Sequence, residues 1–249
     1  MAKLYVDTIE PEGATTNLAI GEAGQDVILP GNDIRANVLQ DAGGNAIFTS
    51  NGSGTLSGVS GGFGGAIALI SSTTADDDAA VSFTSGFSTA YKHYIFKLYN
   101  INPATDETNF TFQTSTDGGS NYNVTLTSTN FMAYHDEINS SEAVEYNAAG
   151  DESQGTVYQR IAERVSNDAD ASATGEVHLF NPTSTTYVKN FYSTVNLLHT
   201  SGDSPPRPYS MEMFVSGYFN TTSAINAIQF KFSSGNINEG TIKMLGVKQ

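Results

Sequence analysis

The sequence predicts an all-β protein. Residues 1–50 read as a short N-terminal β-rich stem or docking segment, 51–65 as a Gly/Ser-rich hinge, and 66–249 as a jelly-roll-like β-sandwich. Three observations predict this. Short runs of Tyr, Phe, Val, Ile and Thr recur between clusters of Gly, Asn, Asp and Pro, the signature of strands joined by tight turns. No long stretch places apolar residues at helical spacing. Seven glycines fall between Gly52 and Gly65, so the composition breaks sharply between a sparse N-terminal quarter and an aromatic-rich remainder.

In the N-terminal quarter the apolar runs are 4–9, 17–20, 27–29, 34–39 and 46–48. Breakers separate them: Glu12-Gly13, Gly21 to Gly24, Pro30-Gly31-Asn32-Asp33 and Asp41-Ala42-Gly43-Gly44-Asn45. These segments are too short to bury a core within one chain. Three chains could cover each other's apolar faces, which predicts a homotrimer. A loosely ordered leader that docks on another protein is the alternative. One helical turn around 34–39 is compatible with Arg35, Ala36 and Leu39. In the hinge, a phosphate-cradling glycine loop is disfavoured, because no Lys follows at the required spacing.

In the head, strands are expected at 66–72, 79–84, 93–101, 108–115, 122–128, 156–164, 175–180, 191–199, 209–220, 227–233 and 240–247. Phe110-Thr111-Phe112-Gln113 and Ile228-Gln229-Phe230-Lys231-Phe232 alternate aromatic and polar residues, so each strand has a core face. Only 157–165 competes as a helix, since Val157, Ile161 and Val165 sit four apart. Asp117-Gly118 between alternating segments predicts a hairpin. The string Ser115-Thr116-Asp117-Gly118-Gly119-Ser120-Asn121-Tyr122 resembles the Asp-box turn of sialidase propellers. It occurs once, with Asn121 where Thr is expected, so it supports a folded turn and not a propeller.

Charge and composition narrow the function. With 26 acids and 11 bases the formal charge is −15, which opposes nucleic-acid binding and docking on an anionic membrane. The absence of cysteine removes disulfides and thiolate chemistry. No apolar run is long enough for a secretory signal or a spanning helix, the longest being Ala66-Ile67-Ala68-Leu69-Ile70. Neither catalytic residues nor a cofactor are expected. Glu176 and His178 share a strand face and form half a metal site or a surface pair. Asp76-Asp77-Asp78 offers clustered oxygens for calcium but lacks the glycine and closing glutamate of an EF-hand loop, so a solvated turn is expected. The acidic stretch 135–155 holds the paired carboxylates that glycoside hydrolysis uses, in what reads as a loop. No Gly-x-Ser-x-Gly elbow is present.

Tyr5-Val6-Asp7-Thr8-Ile9-Glu10-Pro11, Leu18-Ala19-Ile20-Gly21, Val27-Ile28-Leu29-Pro30 and Asn37-Val38-Leu39-Gln40-Asp41-Ala42-Gly43-Gly44-Asn45 resemble the start of tail-fibre-type proteins of tailed bacteriophages. Tyr94-Ile95-Phe96-Lys97-Leu98-Tyr99-Asn100-Ile101-Asn102-Pro103 and His178-Leu179-Phe180-Asn181-Pro182 resemble β-sandwich proteins of aquatic phage virions. The resemblance implies a non-enzymatic virion protein, commonly trimeric, held to other virion proteins through residues 1–50. It transfers no site residues. The length of 249 residues suits a short tail fibre, a head fibre or a capsid decoration protein better than a long distal fibre. A carbohydrate-active enzyme is the distant alternative.

If the head adheres to a host-surface glycan, the loops at the ends of a sandwich are the expected surface. Three loops stand out: 117–122 with Asp117 and Tyr122, 134–154 with Tyr146, and 201–209 with Arg207 and Tyr209. The last has three prolines that limit the freedom lost on binding, and its Arg207 and Tyr209 supply a donor fork and a stacking ring.

Overall fold

In the computed structural model the described residues are 38–40, 46–50, 56–57, 66–200 and 207–248. The stem runs before residue 38 and the loop residues 201–206 lie outside them. The chain divides into two compact units, Met1–Ser60 and Gly61–Gln249. In the first, strands β1 (Val38–Gln40), β2 (Ala46–Ser50) and β3 (Leu56–Ser57) form an antiparallel sheet in that order. Val38 and Leu39 are extended, so the helical turn expected around 34–39 does not include them. Pairing of Val38 with Thr49 and Leu39 with Phe48 explains why the ladder wins.

The second unit is an antiparallel sandwich, and no helix occurs among the described residues. Its strands are β4 (Ile67–Asp78), β5 (Val81–Phe83), β6 (Tyr91–Pro103), β7 (Thr108–Ser115), β8 (Leu126–Asp136), β9 (Glu142–Tyr146) and β10 (Ser153–Gly155). They continue as β11 (Gln159–Val165), β12 (Ala173–Phe180), β13 (Lys189–Thr200), β14 (Pro208–Phe219), β15 (Ala227–Phe232) and β16 (Ile237–Lys248). The large sheet has the order β10-β8-β14-β13-β12-β6-β16-β4, with β9 also paired to β8. The small sheet has the order β11-β7-β15-β5.

This order is a jelly roll with two insertions. Set aside β8–β10 and β13–β14, and number the remaining eight strands along the chain. One sheet then runs first-eighth-third-sixth (β4-β16-β6-β12) and the other second-seventh-fourth-fifth (β5-β15-β7-β11). That is the double Greek key of the eight-strand jelly roll. The insertions join each other, because β14 pairs with both β13 and β8, and together they widen the large sheet beyond β12.

The core follows from the alternation of the strands. Phe110 and Phe112 on β7 and Phe230 on β15 face inward from the small sheet and are fully buried. Tyr94, Phe96 and Leu98 on β6 meet them from the large sheet. The Phe230 ring lies 5.5 Å from Phe96, 6.0 Å from Phe112 and 6.1 Å from Phe110, and Phe112 meets Phe191 edge-on at 5.3 Å. Gln113 is buried beside this cluster, and its amide donates to the carbonyls of Val124 (3.2 Å) and Val157 (2.9 Å), so its burial is compensated.

The structure corrects several local expectations. The Asp117-Gly118 segment is not a hairpin tip: β7 and β8 belong to different sheets, and residues 116–125 cross from one to the other. The Asp117 carboxylate closes the crossing by accepting from Ser115 Oγ (2.6 Å) and the Asn121 amide N–H (2.9 Å). Gly118 N–H is held by Asn226 Oδ1 at 2.8 Å, which ties the loop to the approach to β15. The strand expected at 122–128 therefore begins at Leu126 and runs on to Asp136. The acidic stretch 135–155 is not one loop, because it contains β9 and β10 along the outer edge of β8. Glu142-Ala143-Val144-Glu145-Tyr146 alternates, and β8 offers it a free ladder. Asp76-Asp77-Asp78 forms the end of β4 and not the turn after it. The segment 159–165 is a strand, since it pairs antiparallel with β7 and buries Ile161 and Val165 in the core.

Phe230 meets the rings of Phe83, Phe110 and Phe112 in its own sheet and Phe96 in the large sheet. Phe230→Ala is expected to destabilise the head by about 3–5 kcal/mol. Urea denaturation checks this: the midpoint should fall with the slope unchanged.

Candidate functional site

The residues singled out as loop ligands are spread over the head. Asp117 and Tyr122 lie before the Leu126 end of β8, whereas Arg207 and Tyr209 lie beside its Asp136 end. Eleven residues of strand put these ends about 33 Å apart. Tyr146 pairs with Phe131 in mid-strand. The five residues therefore form no single site.

Four of the five have a hydrogen-bond, ion-pair or ring partner, and Tyr122 is packed against Gly119. Hydrogen bonds from Ser115 and Asn121 lower the Asp117 carboxyl to about 2. The Tyr122 hydroxyl is buried against Gly119, where an added Cβ would sit 2.7 Å from it. The Tyr146 hydroxyl donates to Asp151. Arg207 Nη1 is 3.4 Å from Ser140 Oγ and 3.9 Å from the buried Asp136 carboxylate. Tyr209 stacks on His199 with centroids 5.8 Å apart.

A denser arrangement occupies the outer face of the large sheet. On β6 the side chains of Tyr94, Phe96 and Leu98 point to the core, which leaves His93 and Lys97 on the outside. On β12, Val177 and Leu179 point inward and Glu176, His178 and Phe180 outward. The register sets Lys97 opposite Glu176 and His93 opposite Phe180. Lys97 Nζ bonds Glu176 Oε2. His178 Nε2 lies 2.9 Å from Glu176 Oε1. His178 Nδ1 and His93 Nε2 share a hydrogen bond at 2.7 Å.

Aromatic rings cover this polar chain. Phe180 stacks on His93 at 4.4 Å and Tyr192 of β13 stacks on His178 at 4.3 Å, with interplanar angles of 16° and 12°. His178, stacked between His93 and Tyr192, is buried at 6% exposure. Burial lowers the His93 pKa below 6.5, with help from neighbouring His178 and against the pull of Glu176. Burial also raises Glu176, but the Lys97 and His178 contacts outweigh it and the net direction is down.

Beside these rings a groove of about 530 Å³ opens over β8, β13 and β14, with Phe180, Tyr192 and Tyr218 among its lining. Beneath it the buried Lys189 ammonium donates to the carbonyls of Tyr187 (2.9 Å) and Thr221 (3.0 Å), which fixes the segments at the end of the groove. On the small sheet a second concavity of about 300 Å³ contains Arg160, Lys231, Tyr158 and Glu152. Arg160 there pairs with Glu163 at 2.9 Å, and Lys231 sits 4.3 Å above the Tyr158 ring. Among the described residues no three His, Asp or Glu side chains converge at a metal-binding geometry.

The shared face of Glu176 and His178 was legible as a period-two spacing. Their partners His93 and Lys97 lie about 80 residues upstream, and only the β6–β12 register brings them near. Phe180, Tyr192 and Tyr218 carried no local signal, because alternation marks them as one face of a strand without saying which face is wet. No protein family, curated protein or solved structure matches the chain.

Acid should unfold the head in two stages. The pKa values of His93 and His199 are lowered on folding from 6.5, chiefly by burial, so the unfolded chain binds their protons first. Their stabilisation is full above about 6.5 and declines as the pH falls toward the folded values. The carboxyls of Asp117, Asp136 and Glu176 are also lowered, so their contribution is present above about 4 and is lost below it. Melting temperature against pH should show both declines, and His93→Gln should shrink the first. A flat profile between pH 7 and 5 would contradict the burial of neutral imidazoles.

Proposed function

We propose that the protein is a non-enzymatic virion structural protein: a trimeric short tail fibre that attaches through its N-terminal segment and presents the sandwich for host-surface adhesion. The observation that carries this reading is the two-part layout, a small β unit up to Ser60 followed by a jelly roll whose large sheet is widened by two insertions. The jelly roll is an architecture of capsid and lectin domains alike, so it is compatible with both halves of the proposal, although a fold does not itself fix a function. The phage-like phrases in both parts of the sequence add support.

Quantitative mass spectrometry of purified particles, intact and stripped of tails, tests the reading. A few dozen copies at most, lost with the tails, is the expected result. Hundreds of copies retained on the heads would make it a capsid decoration protein, and absence from particles would end the virion reading. Light scattering on the full chain is expected to give three times the monomer mass of 26.4 kDa.

A further inference from the structure

The groove on the widened large sheet has an ordered lining. Outward residues of adjacent strands fall in two rows: Tyr192, Ser216 and Thr129 in one, Asn190, Tyr218 and Thr127 in the next. Phe180, one residue past the last β12–β13 pair, Leu179 with Phe191, closes the second row on the β12 side. Rings and small polar groups therefore alternate along β13 and β14 and across the second row. Their chain neighbours Phe191, Val215 and Phe219 are all buried, which fixes this set as the solvent face.

Three features limit the occupant. No charged side chain lines the groove, in a chain that carries 26 acids and 11 bases, so an ionic ligand would find no counter-charge. Asn190 and Ser216, both exposed, would lose their water partners under a purely apolar occupant, at a cost for each unpaired group. Its volume of about 530 Å³ is the scale of a small-molecule site. A neutral saccharide meets all three: its C–H faces lie on rings, and its hydroxyls exchange hydrogen bonds with hydroxyls and amides.

The walls are also held in place. Tyr192, which is 41% exposed, is backed on one face by His178, and Phe180 is backed by His93. The imidazole pair is itself anchored through Glu176 to Lys97. At the rim Thr127 Oγ1 accepts from Gln154 Nε2 at 2.7 Å, and Gln154 Oε1 accepts from Asn220 Nδ2 at 2.7 Å. Rings and hydroxyls fixed before binding lower the ordering cost of taking up a ligand. Most of this lining comes from β8, β13 and β14, the strands that the jelly roll itself does not require.

We propose that this groove is a binding site for a neutral oligosaccharide, with Tyr192, Tyr218 and Phe180 as stacking surfaces and Asn190, Ser216 and Thr127 as hydrogen-bonding groups. The proposal rests on the adhesion reading and deepens it, placing adhesion on a sheet face instead of on the loops at 117–122 and 207–209.

Saturation-transfer NMR and calorimetry on the full chain test it, with malto-, cello-, manno- and galacto-oligosaccharides as neutral probes and oligogalacturonate as the acidic one. At least one neutral probe should bind and the acidic probe should not. Tyr192→Ala and Tyr218→Ala should each weaken binding about tenfold or more. Ser216→Glu, an exposed change that places bulk and charge in the valley, should abolish it with the melting temperature unchanged. Binding that survives these variants but is lost in Arg207→Ala would remove the groove and leave the adhesion reading standing. Failure of every neutral probe, or preference for the acidic one, would overturn the proposal. So would a drop in oligomer mass in the Tyr variants, which would make the groove a subunit interface. Copy number on the particle has no bearing on these outcomes, so the two readings fail separately.

Discussion

The two sheets are held at their spacing by one run of packed phenylalanine rings. Phe83 and Phe96 approach to 5.7 Å, Phe96 meets Phe230, Phe230 meets Phe112, and Phe112 meets Phe191 and Phe219. The run starts under the jelly-roll strands and ends under the inserted strand pair. Each ring fills the roughly 10 Å gap between sheets that smaller side chains would leave partly open. The inserted strands thus share a core with the jelly roll, and their outer faces are rigid because their inner faces are packed.

That rigidity has a consequence for the outer surface. A β-sheet buried on one face is free to vary on the other without disturbing its register, provided the alternation is kept. The large sheet uses that freedom to build a polar chain, Lys97–Glu176–His178–His93, under two stacked rings. The adjoining groove is left uncharged. The loops, by contrast, spend their polar groups on themselves: Asp117 on its own turn, and Asp136 on Ser140 and Arg207.

Much of the fold was legible from alternation. Phe110-Thr111-Phe112 and Ile228-Gln229-Phe230 announced their inner faces, and ten of the eleven expected segments in the head overlap a strand over most of their length or at its core. The errors lie where a local signal competed with a distant partner. Asp117-Gly118 has hairpin chemistry, yet Asn226, more than 100 residues later, claims the loop. The glutamates of 142–146 read as solvated loop, yet β8 had an edge to pair. The loop residues Arg207 and Tyr209 looked free in sequence because their partners Asp136, Ser140 and His199 are remote. The groove was illegible for the same reason: Tyr192, Ser216 and Tyr218 become neighbours only through the β13–β14 register.

The central claim is that the outer face of the inserted strands, and not the loops, is the recognition surface. Amide chemical-shift mapping of the full chain with a bound neutral oligosaccharide tests this most directly. The account predicts that perturbed amides cluster at Thr127, Phe180, 190–192 and 216–218. Perturbations confined to 117–122 or 207–209 would contradict it.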